Sequence, residues 1–69
     1  MTETLATALP KEMARVRDEL LPVYDALPDG VGRFAATMIR ADLDRATKAL
    51  AEGDVVEMLR VYETLKECE

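Results

Sequence analysis

Cys68 is the one thiol in the chain, and no histidine stands anywhere to take its proton or to hold zinc beside it. That composition excludes His-based acid–base and nucleophilic catalysis, together with the usual Cys/His metal sets. Carboxylates remain, since Asp and Glu number 14. Asp42 and Asp44 come nearest to a working pair, but on a helix they diverge by about 200° and share neither a proton nor a metal ion. GVGRFA, residues 30–35, matches the phosphate-cradling GxGxxA by letter. That mechanism needs a buried strand in front, and PVYDALPD is not one. A turn entering a helix accounts for both glycines. The chain reads as a non-enzyme, with no cofactor and no metal.

Nucleic-acid chemistry fares little better. Ala49, Gly53 and Leu59 resemble the small–Gly–apolar spacing of a DNA-binding helix-turn-helix. Its second helix would offer Val55, Val56, Glu57, Arg60 and Val61 to the groove, and two valines with a glutamate neither read base edges nor neutralise phosphate. The net charge is −5, with acids gathered in residues 1–30 and 49–69 around a mildly basic 31–48. Such a chain repels phosphate backbones and suits a basic protein surface.

The elements that must position any site are helical. From Gly32 to Ala51 the apolar residues Ala35, Met38, Ile39, Ala46, Ala49 and Leu50 recur at three- and four-residue spacing, with no Gly or Pro between. Arg40/Asp44 and Asp44/Lys48 form i,i+4 pairs on the opposite, solvated side. Asp42 alone breaks the apolar stripe. A carboxylate there must be paired or wet, and Arg45 is within reach at i+3. It serves either as a polar contact that fixes register in a self-association seam or as part of a partner surface.

Before this helix, Leu9, Met13, Val16, Leu20, Val23 and Leu27 step by four and three, a short heptad seam. Pro10 predicts that the ordered part starts near it, leaving residues 1–9 outside. Pro22 lies within the seam and crowds the carbonyl of Asp18. It predicts either a kink or break near Leu21, with Val23–Leu27 as a last turn, or a helix that ends at Leu21. Pro28-Asp29-Gly30 is a turn with Gly left-handed. Gly53 then ends the central helix, and Asp54 caps a last one running to about Cys68, with Glu57 completing an acidic capping box. Val55, Met58, Leu59, Val61, Tyr62 and Leu65 form its inner face. The expected fold is all-α: one domain over residues 1–69, closing in a helical hairpin.

A core from 69 residues rarely supplies more than about 3–5 kcal/mol. Lacking an intrachain disulfide or metal, the chain is expected to gain stability as a homodimer, with Met38, Ile39, Asp42 and Arg45 as register contacts. Met13, Met38 and Met58 serve first as core filler. No apolar run spans a bilayer, and MTETLATALPKE lacks the basic start of a secretory signal. A cytoplasmic protein with no membrane association follows as the expectation. Phe34, Tyr24 and Tyr62 are the only aromatics, and any left uncovered by the core is the natural partner-binding anchor. Phe34, beside the Gly30–Gly32 turn, comes first.

Taken whole, and through DGVGRFAATMIRADLDRATKAL and EGDVVEMLRVYETLK in particular, the sequence resembles a family of short early proteins of Mu-like transposable phages that infect Pseudomonas. The resemblance implies a helical, homodimeric host-takeover protein that inhibits by binding. Its implied targets are a LuxR-type quorum-sensing activator and the ATPase that drives type IV pilus assembly. Two other classes stand beside it: a helix-turn-helix phage DNA-binding regulator and a structural helical adaptor.

Overall fold

In a computed structural model, residues 4–68 are described, and every regular element among them is helical. The first rod runs through α1 (Leu5–Arg15), a π-helical turn at Val16–Leu20 and α2 (Leu21–Asp25) without interruption. After a tight turn at Pro28–Gly30 come α3 (Arg33–Glu52) and α4 (Val55–Lys66).

Thr4 starts the first rod. Its backbone is extended (φ −86°, ψ 160°), and its carbonyl accepts from the N–H of Thr7 and Ala8 at 3.0 and 2.8 Å. Pro10 therefore lies inside α1 instead of opening it. Its missing N–H leaves the carbonyl of Ala6 to solvent, on an exposed side where water can take the bond. Residues 5–9, expected outside the ordered part, are helical, and Leu9 is fully buried. Met1–Glu3 lie outside the described residues.

Pro22 neither breaks nor ends the rod. The N–H of Leu21 donates to the carbonyl of Val16, a five-residue step. This wider turn opens where the proline ring would otherwise press on Asp18, so the helix passes through the proline. The extra residue has a second effect. It rotates everything downstream by about one position, or 100°. Leu21 and Tyr24 therefore pack on the core, while Val23, expected on the seam, is 57% exposed. Leu27, also expected on the seam, lies past the end of α2 in extended backbone before Pro28 and is 39% exposed.

The core is built from Leu9, Val16, Ile39, Ala46, Ala49, Met58, Val61 and Leu65, with α4 packed against both α1 and α3. On α3 the buried arc runs through Ala36, Ile39, Ala46 and Ala49. Ala35 and Met38, expected inside, lie toward its edge: Ala35 is half-buried and Met38 is 50% exposed. At Gly32 the start of α3 approaches α2 closely: a Cβ there would sit 2.1 Å from the carbonyl oxygen of Tyr24. Of Met13, Met38 and Met58, Met58 alone is fully in the core.

The link between α3 and α4 follows local chemistry. Gly53 is left-handed (φ 67°) and donates its N–H to Leu50, while Asp54 donates to Ala49 at 3.1 Å, a Schellman closure. The carboxylate of Asp54 accepts from the N–H of Glu57 at 3.1 Å. Glu57 does not reach back to complete the box; its own carboxylate accepts from Nε of Arg45 at 2.9 Å. At the far end of α4, Nη2 of Arg15 donates to the carbonyls of Leu65 and Cys68 at 3.0 and 3.4 Å. These are the carbonyls a helix C-terminus leaves unsatisfied. Val55 and Leu59, expected on the inner face of α4, are 65% and 49% exposed.

The result is a thin body, 42 × 24 × 16 Å. Its radius of gyration is 12.6 Å, against about 11 Å for a compact chain of this length.

Candidate partner-binding surface

Phe34 and Met38 lie one turn apart on α3, and Val31 stands in the turn that leads into that helix. Val31, Phe34 and Met38 are 71%, 77% and 50% exposed. The Pro28–Gly30 turn presents the first of them. Asp29 and Gly30 are both left-handed (φ 58° and 70°), and the N–H of Val31 donates to Pro28 at 3.1 Å. Asp25 accepts from Nη2 of Arg40 at 2.7 Å and fastens α2 to α3. Arg40 thus reaches across to α2 instead of making the expected pair with Asp44.

A shallow groove borders this face, lined by Tyr24, Ala35, Met38, Ile39, Asp42 and Cys68. It brings together several residues that the spacing singled out. Met38 forms its lip, and Ile39 is buried within the protomer at 5% exposure, so Ile39 supports the surface from behind. The Asp42 side chain is 14% exposed and lies 3.5 Å from Nη1 of Arg45. Tyr24 and Tyr62 are half-buried against the core, and the ammonium of Lys66 stands 5.5 Å from the centre of the Tyr62 ring. Phe34 is thus the aromatic that the core leaves bare. Val31 was missed by periodicity. The available signal was a β-branched residue set between two turn glycines.

The chemistry of the groove is mild. Burial pushes the Cys68 thiol up from its ordinary range, the negative charge of Asp42 adds to this, and Arg15 opposes it. A thiol held in its protonated form is a poor nucleophile. Among the described residues no group of three or more His, Cys, Asp or Glu is placed to hold a metal ion. No helix among them is long and apolar enough to cross a membrane.

Asp42 offers a direct test of how much this groove matters to the fold. Removing its carboxylate leaves Arg45 still bonded to Glu57. Asp42→Ala is therefore expected to cost no more than about 1 kcal/mol, the range of a partly exposed pair. Urea melts of the two proteins measure it. A loss of about 3–5 kcal/mol would mean a buried pair that the fold depends on.

No protein-family model, no curated protein and no solved structure matches this chain.

Proposed function

We propose that this protein works by occupying another protein, without chemistry of its own. The observation that carries the reading is the bare apolar surface at the start of α3, Val31 and Phe34 with Met38 beyond them. A large exposed aromatic flanked by aliphatic residues is the composition of a binding hot spot. The resemblance to early proteins of Mu-like Pseudomonas phages supplies the class of partner. It points to a LuxR-type quorum-sensing activator, with the type IV pilus assembly ATPase as a second target, both in the host cytoplasm. A net charge of −5 suits the basic surface of a DNA-binding domain, where complementary charge speeds encounter and apolar anchors supply affinity.

The working unit in this reading is a homodimer. Met38, Asp42 and Arg45 form the contact between copies, and Phe34 stands beside it for the host protein. Sedimentation at micromolar concentration should give twice the chain mass of 7.7 kDa. A cooperatively folded monomer there rejects the dimer.

The test of function is competition. Purified protein should displace a LuxR-type activator from its operator DNA. Phe34→Ala should weaken that by about 30-fold, as loss of a hot-spot aromatic of about 2 kcal/mol does. Because Phe34 is 77% exposed, the unfolding free energy of the variant should stay within about 0.5 kcal/mol of the parent. Binding to the duplex itself, or an activator left untouched on its operator, overturns the proposal.

A further inference from the structure

The first rod carries two incompatible patterns. Its sequence repeats apolar residues at four and three through Val16, Leu20 and Val23, which an unbroken α-helix would place together on the inner side. The π turn at Val16–Leu20 holds one residue more than that pattern allows. Leu20 still packs on the core, but beyond it the positions facing inward become Leu21 and Tyr24 in place of Val23. Both sets are apolar enough to be buried. Two local features favour the observed set. Pro22 fits the wide turn and would clash in the narrow one, and the 2.7 Å bond from Arg40 to Asp25 holds α2 at its present rotation.

We propose that the rod is a two-register element, in which α2 turns about its own axis by one residue to exchange the surface it displays. In the π register Val23 faces outward and Tyr24 is half-buried against the core. In the all-α register Val23 goes in, Tyr24 comes out, and Asp25 swings away from Arg40. The α3–α4 hairpin needs no change in either state. Pro22 is the residue that holds the first.

The experiment uses the full chain with Tyr62→Phe, which makes Tyr24 the sole tyrosine in a protein without tryptophan. A second reporter is Val23→Cys in a Cys68→Ser background. Pro22→Ala should bring acrylamide quenching of Tyr24 up toward that of free tyrosine. It should also slow thiol labelling at position 23 by at least about tenfold, since a buried thiol reacts only through local opening. Glu19 is exposed, within the π turn. Deleting it together with Pro22→Ala removes the extra residue while keeping the phase beyond it. That double variant should return Tyr24 to protection and position 23 to rapid labelling. The proposal fails if Pro22→Ala leaves both reporters unchanged. It also fails if both become exposed, which is fraying, or if the protein no longer melts cooperatively, which means that no second packing exists.

Discussion

Gly32→Ala is expected to remove most of the stability of this domain. The added methyl would lie 2.1 Å from the carbonyl oxygen of Tyr24, 2.8 Å from its carbon and 3.0 Å from Cδ1 of Leu27. The first two are backbone atoms, so no rotamer change relieves them, and α2 must separate from α3. Overpacking typically costs about 1–3 kcal/mol, and a rigid backbone neighbour places this case at or above the upper end. A single-core chain of this size has only about 3–5 kcal/mol to lose. Gly53→Ala is the control. Gly53 is strained by its φ of 67° but has nothing within 4 Å of an added Cβ, so the cost should be about 1 kcal/mol. Urea denaturation of the two variants separates close approach from backbone freedom. Equal losses would mean that α2 does not lie against Gly32.

Leu65→Ala should be the other severe change. Leu65 is fully buried near the end of α4, and its carbonyl is held by Arg15, the last residue of α1. Truncation leaves a cavity that α1 and α4 cannot close without giving up that bond. Leucine-to-alanine changes in cores cost about 2–5 kcal/mol. Leu59→Ala, on the same helix but 49% exposed, should cost well under half as much. Thermal melts with circular dichroism measure both. If Leu65→Ala melts within a few degrees of the parent, α1 contributes little to the packing around α4.

Features resting on neighbouring residues were legible in the sequence. Gly53 and Asp54 ended one helix and capped the next because left-handed glycine and an acceptor side chain act locally. Asp42 and Arg45 were paired by i,i+3 spacing for the same reason. Where two outcomes differed by packing, periodicity could not choose. It marked an apolar stripe on α3, but which edge of that stripe docks is a tertiary outcome. Met38 came out and Ala36 went in. Pro22 neither broke nor ended the rod, because widening the turn was an option that heptad counting does not contain, and it moved Val23 to the surface. The Arg45–Glu57 and Arg40–Asp25 bonds cross between elements, so no spacing rule could find them. The bareness of Phe34 belongs to the same class, because it depends on what the other helices fail to cover.

The two-residue link at Gly53–Asp54 also sets an order of events. The α3–α4 contacts close a very short loop, so little chain entropy opposes them, and a helical hairpin can form early. The clasp from Arg15 to Leu65 joins residues 50 apart in sequence, so α1 must await both partners. Amide hydrogens should record this asymmetry in the native state. Those of α1 should exchange through partial openings that leave the hairpin intact, while the slowest should lie in α3 and α4 and exchange only with global unfolding.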